Sequence, residues 1–127
     1  MLPKTVGEVM STRITPVAKG TPLREVVRRM ALNNIGAILV TDGDTPIGLF
    51  SERDLLKRVV AAGVDVDKVT VDSVMTAKMV SVSPRDAFRD LVVKMHAGNF
   101  RHLPVMEGGK VVGWVSVKDL LRVFAEA

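Results

Sequence analysis

Two short stretches of the chain place an aspartate three positions after a serine, directly before an apolar run. They begin at Ser51 (SERDLL) and at Ser116 (SVKDLL), so the aspartates are Asp54 and Asp119. Such a pair forms a capping box: the hydroxyl accepts from the third helical N–H, and the carboxylate accepts from the N–H of the serine. A helix start also gathers N–H groups that suit a phosphate, and a carboxylate can accept from the vicinal hydroxyls of ribose. Each pair therefore predicts either a helix cap alone or a cap that doubles as a nucleotide site.

A glycine stands three positions before each serine, at Gly48 and Gly113. Because glycine has no side chain, we expect the backbone at these points to approach a ligand closely. Neither serine has a base beside it in the sequence, and the chain contains two histidines and no cysteine. We therefore predict no catalytic residues and no metal site, and the chain is not expected to be an enzyme.

The two stretches belong to a tandem duplication, which is visible when the chain is shifted against itself by 65 positions without a gap. Matched residues recur along the whole length, for example Met10 with Met75 and Val40 with Val105. This register places repeat 1 at residues 1–63, a linker at 64–70 and repeat 2 at 71–127. Neither half is long enough to bury a sheet and two helices alone, so we expect the halves to form one globular module.

Each half follows the order strand, helix, strand, strand, helix. Apolar residues at helical spacing mark the first helix of each half, which we expect to start at a cap, Thr21 or Asp86. The helices should end near Asn34 and Asn99, and glycine-containing turns predict a hairpin after each helix. The fold class is therefore α+β, with two tandem β-α-β-β-α repeats packed sheet to sheet by a pseudo-two-fold axis. Trp114 aligns with Leu49 on a strand, which favours a place in the core over stacking on a base.

The composition bears on the partners and the cellular location that we expect of the protein. Hydrophobic residues make up 47% of the chain, which suggests that a partner chain covers some apolar surface. The chain has no apolar run of roughly eighteen residues and no signal peptide at its start, so we expect no membrane span and a cytoplasmic location. The formal charge of +4 leaves nucleic-acid binding open, although the basic residues are spread along polar helix faces.

The duplicated order of elements, together with VGEVM, VDSVM, GLFSERDLLKRV, NFRHLPVM and GWVSVKDLL, resembles a pair of CBS domains, or Bateman module. The resemblance runs from about Val6 to Phe124 and is to the stand-alone two-domain type. It implies a regulatory module with no obligatory cofactor, which binds an adenosyl ligand in the clefts between the repeats. AMP is the first candidate, and ADP, ATP and S-adenosylmethionine are the others. The resemblance also implies a homodimer with four repeats in a disk, and a separate effector protein as partner.

The resemblance assigns roles to residues of both motifs. Asp54 and Asp119 would hold the ribose hydroxyls, while Ser51 and Ser116 would help to hold phosphate. Arg53 and Lys118, inside the motifs, are further candidates for phosphate.

Other implied site residues lie just before the strands. Segments that line the base pocket contain Thr15 and Pro16 in the first half, and Val80 and Ser81 in the second. The position before the middle strand is often basic in the family; it holds Arg101 and His102 in the second half, but Gly36 and Ala37 in the first. This asymmetry predicts that the site beside Ser116 and Asp119 favours phosphate more than the site in the first half does.

Two interpretations other than ligand binding stay open. The high apolar content is also expected of a dimerisation or protein-interaction module that binds no nucleotide. The positive charge alone supports nucleic-acid binding, whose affinity would fall steeply with salt.

Overall fold

A computed structural model describes residues 2–127 of the chain. These residues form two compact units, each containing one hairpin. The first-hairpin unit is Thr15–Met79, and the second-hairpin unit is residues 2–14 together with Val80–Ala127. The boundaries of the units differ from those of the sequence repeats, because the opening segment of each repeat belongs to the unit that contains the other repeat's hairpin.

The first-hairpin unit is built on a three-stranded sheet of β1 (Val17–Ala18), β2 (Ala37–Asp42) and β3 (Thr45–Ser51), in that order. β1 runs parallel to β2, and β2 and β3 form the predicted antiparallel hairpin. Helix α1 (Leu23–Asn33) connects β1 to β2, and α2 (Glu52–Asp54) continues as π-helical turns over Leu55–Val60. A 3-10 turn, Val71–Ser73, completes the unit. Its core contains the following buried side chains: Val17, Leu23, Val26, Met30, Ile38, Val40, Phe50, Val59, Val71 and Val74.

The second-hairpin unit repeats this plan. It contains a 3-10 turn (Val6–Glu8), helix α3 (Phe88–Gly98), the hairpin of β4 (His102–Glu107) and β5 (Lys110–Ser116), and helix α4 (Val117–Glu126). Its core contains the matching set: Val6, Val9, Val82, Phe88, Leu91, Met95, Leu103, Val105, Val115 and Leu120. The mixed α+β class predicted from the sequence is thus confirmed, and the predicted order of helix, hairpin and helix recurs in both units.

The units differ at the strand that precedes the first helix. In the first-hairpin unit, the ladder between β1 and β2 is extended by Lys19 N–H, which donates to the carbonyl of Thr41 at 2.7 Å. The residue that corresponds to Lys19 is Pro84, which has no N–H to donate. Val82 accordingly makes a single parallel bridge to Val105 within the described residues, and no full strand forms there.

The predicted helix ends are confirmed, but the predicted starts are wrong. Asn34 and Asn99 both adopt left-handed backbone with φ 53° at the ends of α1 and α3. At the starts, the Thr21 hydroxyl donates to the carbonyl of Ala18 at 2.6 Å, and the Asp86 carboxylate accepts from the N–H of Ser83 at 2.8 Å. These side chains are used in the preceding turns, and each helix begins two residues later.

No helix within residues 2–127 combines the length and the apolar character needed to cross a lipid bilayer.

Candidate functional site

Both predicted capping boxes form. In the first, Ser51 Oγ accepts from the N–H of Asp54 at 3.3 Å, and Asp54 Oδ2 accepts from the N–H of Ser51 at 2.9 Å. In the second, the matching distances are 3.3 Å from Asp119 N to Ser116 Oγ and 2.8 Å from Ser116 N to Asp119 Oδ2. The local pattern therefore places one serine and one carboxylate at the start of a helix in each unit.

The second hairpin brings the predicted basic pair to its capping box. His102 lies opposite Ser116 across the β4–β5 ladder. The carbonyl of Arg101 accepts from the N–H of Val117, the first residue of α4, at 2.9 Å. Arg101 is exposed at this point and His102 is half-buried. The backbone of Arg101 and His102 thus lies beside the second capping box, at the start of α4.

The first hairpin has the same backbone arrangement without the basic side chains. Ala37 lies opposite Ser51, and the carbonyl of Gly36 accepts from the N–H of Glu52 at 2.9 Å. The place of a cation and an imidazole is therefore taken by two small residues. The sequence predicted that only the second half has basic residues at this position. The structure confirms that the residues compared occupy equivalent backbone positions in the two hairpins.

The two motif aspartates have different surroundings. Asp54 Oδ1 accepts from the hydroxyl of Thr76 at 2.8 Å and forms an ion pair with Arg58 Nε at 3.3 Å, and its side chain is 8% exposed. Asp119 Oδ1 is 3.7 Å from Arg122 Nη2, and its side chain is 18% exposed. Asp119 is therefore the more accessible carboxylate, whereas Asp54 is enclosed by its own unit.

Trp114 is not where we expected it. Val115 is fully buried, whereas its neighbour Trp114 is half-buried because successive strand residues face opposite sides of the sheet. Its ring centroid is 5.9 Å from that of His102, with 38° between the planes. By the same alternation Trp114 shares a strand face with Ser116.

The glycines before the serines have a role other than the predicted one. A Cβ on Gly48 would lie 2.6 Å from Met75 Sδ, and a Cβ on Gly113 would lie 2.5 Å from Met10 Sδ. The close approach is therefore made by the protein's own opening segments, not by space left for a ligand. Each of these methionines lies partly buried against the core of its own unit.

Val80 and Ser81, predicted to line the base pocket, lie in the second-hairpin unit. Val80 and Ser81 directly precede the bridge from Val82 to Val105, and Val80 packs against the core of the second-hairpin unit. The carbonyl of Ser81 accepts from Lys94 Nζ at 3.1 Å, a cation that our sequence interpretation did not include.

The four other predicted residues are all exposed. Thr15 and Pro16 lie just before β1, and Arg53 and Lys118 lie in the first turns of α2 and α4.

Carboxylates with a shifted pKa lie outside both capping boxes. The N–H groups of Thr5 and Lys4 hold the pKa of Glu8 below its ordinary value. A hydrogen bond from Arg24 lowers the pKa of Asp67, and the same contact raises that of Arg24. A hydrogen bond from the N–H of Gly20 lowers the pKa of Asp72. These groups are engaged in turns and surface pairs and contribute to stability.

Comparisons with family models, curated proteins and solved structures all find CBS-domain proteins. The family model for the CBS domain matches the chain twice, over residues 6–61 and 71–126. CBS domain-containing protein CBSCBSPB3 of Arabidopsis thaliana is 31% identical over 119 residues, which are 93% of this chain and 21% of that protein. The chain thus spans about a fifth of the length of such Arabidopsis relatives. CBS domain-containing protein YhcV of Bacillus subtilis is 29% identical over 116 residues, covering 91% of this chain and 82% of that protein.

Solved structures share the fold. A CBS-domain protein from Burkholderia ambifaria superposes with a TM-score of 0.90 and 32% identity, covering 96% of this chain and 94% of that one. The CBS domain pair of protein MJ0100 superposes with a TM-score of 0.84 and 21% identity, over 94% of this chain and 98% of that one. That structure is a complex with 5′-methylthioadenosine and S-adenosyl-L-methionine.

Proposed function

Because the chain belongs to the CBS-domain family, we propose that it is a regulatory module that binds an adenosyl ligand and reports ligand state to a partner protein. CBS-pair proteins are generally regulatory and non-catalytic modules. The site we assign is the start of α4, with Ser116, Asp119, Arg101 and His102. The observation that carries the proposal is the accessible Asp119 carboxylate at the start of α4, where the carbonyl of the exposed residue Arg101 accepts from the first helical N–H.

Asp119 supplies the contact to ribose. Its Oδ2 is used by the backbone and hydroxyl of Ser116, at 2.8 and 3.1 Å, which fixes the orientation of the carboxylate. Its Oδ1 is turned towards Arg122 at 3.7 Å, beyond hydrogen-bond distance. An ionised carboxylate oxygen has about two acceptor positions, so Oδ1 can receive two vicinal hydroxyls. Ribose presents such a pair.

Arg101 and the helix start supply the contact to phosphate. A guanidinium matches phosphate geometry and forms strong, charge-assisted hydrogen bonds with it. The N-terminus of α4, which contacts the backbone of Arg101, adds a partial positive charge. This set favours AMP, ADP or ATP over an uncharged nucleoside, with AMP as the first choice. The complex of MJ0100 with two adenosyl compounds supports the ligand class.

Titration calorimetry of the purified chain with AMP, ADP, ATP and S-adenosylmethionine tests the proposal. We expect saturable binding of at least one nucleotide, with AMP tightest. A chain that is folded by circular dichroism but shows no heat with any of the four at millimolar concentration would refute it.

A specific observation also favours self-association. Val117, Leu121 and Phe124 follow each other at helical spacing on α4 and are exposed, Leu121 at 63% and Phe124 at 50%. Leu56 and Val60 form the corresponding exposed pair after α2, at 62% and 66%. Apolar side chains in a helical row are typical of surfaces covered by another helix. We propose that a second copy of this chain covers them.

Sedimentation velocity tests the homodimer. We expect a dimer for the parent protein and a monomer for Leu121→Asp. Val93→Asp is the matched control, because Val93 is 56% exposed but lies on a different helix, α3. A monomeric parent protein at high concentration would contradict this part of the proposal.

A further inference from the structure

The two motif aspartates differ in how many acceptor positions remain open. A carboxylate has about four such positions. At Asp54, Ser51 occupies two of them through its N–H at 2.9 Å and its hydroxyl at 3.1 Å. The hydroxyl of Thr76 occupies a third at 2.8 Å, and Arg58 Nε faces the same oxygen at 3.3 Å. Three of the roughly four positions of Asp54 are thus occupied, which leaves too few for the two hydroxyls of a ribose.

Asp119 keeps both acceptor positions of Oδ1, whereas Asp54 has lost one of them to Thr76. Ser116 uses Oδ2 in the same way as Ser51 does in the first unit. Within residues 2–127, the donor recorded at Oδ1 is Arg122 Nη2, at 3.7 Å. A long, exposed ion pair of this kind is weak and readily displaced.

One side chain accounts for most of the difference. Thr76 and Ser11 occupy equivalent places, since Thr76 pairs with Leu49 through backbone bonds of 2.8 and 2.9 Å, and Ser11 pairs with Trp114 through two of 2.9 Å. The Thr76 hydroxyl points to Asp54, whereas Ser11 Oγ accepts from the N–H of Arg13 at 3.2 Å. The backbone contacts are therefore the same in both units, but only the Thr76 hydroxyl occupies an acceptor position of the neighbouring motif aspartate.

The geometry points to Thr76 as the residue that closes the first capping box, that is, blocks ribose binding at Asp54. The chain then binds one adenosyl ligand, at Asp119, instead of two. This inference rests on the proposed function and specifies its stoichiometry. Thr76 acts as a positioning residue, because it holds Asp54 in a structural role. A ligand at the first box would have to displace a hydrogen bond to a buried charged group, which weakens binding roughly ten- to a hundredfold.

The equivalence of Thr76 and Ser11 allows reciprocal substitutions. Thr76→Ala removes the donor and should open the first box to a second, weaker ligand. Thr76→Ser is the matched control, because it keeps the hydroxyl and should retain a single site. Ser11→Thr introduces the closing side chain beside Asp119 and should weaken binding there about tenfold.

Calorimetry with AMP, combined with tryptophan fluorescence, tests these expectations on the full chain. Trp114 is the single tryptophan, and it lies in the same unit and on the same strand as Ser116. We expect one AMP per parent chain, with a fluorescence change of the same Kd that moves to roughly ten- to a hundredfold higher AMP concentration in Asp119→Ala. In Thr76→Ala we expect a second heat without a further fluorescence change, because Leu49 replaces tryptophan in the first unit.

Failure of this inference is distinguishable from failure of the proposed function. Two AMP per parent chain, or one AMP whose Kd is unchanged in Asp119→Ala, would overturn the inference and leave the proposed function standing. A folded Thr76→Ala protein that still binds one AMP would overturn the role of Thr76. Absence of heat with every adenosyl ligand would overturn both.

Discussion

The hydroxyl of Thr76 donates a 2.8 Å hydrogen bond to Oδ1 of Asp54. The two residues are 22 positions apart and belong to different sequence repeats, but both lie in the first-hairpin unit. The bond satisfies a carboxylate that is almost completely removed from solvent. An ionised group in such a place is costly unless it is paired and hydrogen-bonded, so the contact stabilises the first-hairpin unit as well as closing its capping box.

The stability of the two units should respond unequally to loss of equivalent hydroxyls. Thr76→Ala removes a hydrogen bond to a buried charge and should lower the free energy of unfolding by about 1–2 kcal/mol. Ser11→Ala is the matched control and should cost less than about 0.5 kcal/mol, since its hydroxyl contacts only a surface N–H. Urea unfolding of both variants measures the difference. Equal decreases in the free energy of unfolding would show that the Thr76 hydrogen bond stabilises the protein no more than the Ser11 contact does.

Asp119→Ala should weaken AMP binding without unfolding the protein. Loss of a charge-assisted hydrogen bond costs about 1.5–3 kcal/mol, which corresponds to roughly ten- to a hundredfold in Kd. Deoxyadenosine monophosphate should bind the parent protein more weakly for the same reason. Asp90→Ala, an exposed carboxylate on α3, is the control and should leave the Kd unchanged. Equal affinity in parent and Asp119→Ala proteins would rule out the ribose contact.

Arg101→Ala should discriminate between ligands with and without phosphate. We expect AMP to bind about tenfold more weakly, or ~1.4 kcal/mol, while adenosine binding changes little. The loss should shrink as salt is raised, because exposed charges are screened. Lys110→Ala, an exposed cation at the hairpin turn, controls for general charge. A parallel loss for AMP and adenosine would indicate that Arg101 acts by packing and not through phosphate.

Gly113→Ala should destabilise the second-hairpin unit by about 1–3 kcal/mol, because the new methyl group overlaps a packed side chain. The overlap is with Met10 Sδ at 2.5 Å, and the carbonyl of Ser11 follows at 3.1 Å. Adding Met10→Ala should therefore recover part of the loss, which thermal unfolding of the double variant measures.

The corresponding pair in the other unit provides the comparison. At Gly48 the carbonyl of Thr76 lies 2.8 Å from the Cβ position, closer than its counterpart at Gly113. Backbone cannot move aside as a methionine side chain can, so Met75→Ala should rescue Gly48→Ala less well. Full rescue in both units would contradict the backbone clash.

Asp72 should make stability depend on pH in the acid range. The hydrogen bond from Gly20 N–H, at 2.8 Å, lowers the pKa of Asp72 below its ordinary value of 3.8. The unfolded chain then binds more protons than the folded protein. The contribution is complete above pH 3.8 and is lost as the pH falls through the lower pKa of the folded state. Urea unfolding of Asp72→Asn from about pH 5 to about pH 2, which brackets carboxyl titration, should show a shallower decline of the free energy of unfolding than in the parent protein. Asp44→Asn, on the exposed first hairpin turn, should keep the parent slope.

The elements and caps that depend on local sequence were predictable. Ser51 and Ser116 cap their helices because a hydroxyl and a carboxylate three residues apart satisfy each other's backbone groups without help from elsewhere. Asn34 and Asn99 end their helices because asparagine tolerates left-handed backbone. The failed cap at Thr21 has an equally local reason, since its hydroxyl prefers the carbonyl of Ala18.

The site was only partly predictable. The family resemblance assigned Arg101 and His102 to the second site, and the structure brings their backbone to the start of α4. The sequence did not indicate that Trp114 shares the strand face of Ser116, or that Lys94 reaches the carbonyl of Ser81. Those contacts depend on which side of a strand or helix faces the core.

The sequence by itself determined the 65-residue register, the order of the elements and the position of both capping boxes, because periodicity and caps are properties of neighbouring residues. Only the tertiary structure decided which opening segment lies against which hairpin. The segments that end at Ser11 and Thr76 have the same apolar pattern, so either fits either hairpin by sequence alone. Long-range packing places Thr76 against Asp54 and Ser11 beside Trp114. That choice leaves Asp119 with open acceptor positions and encloses Asp54.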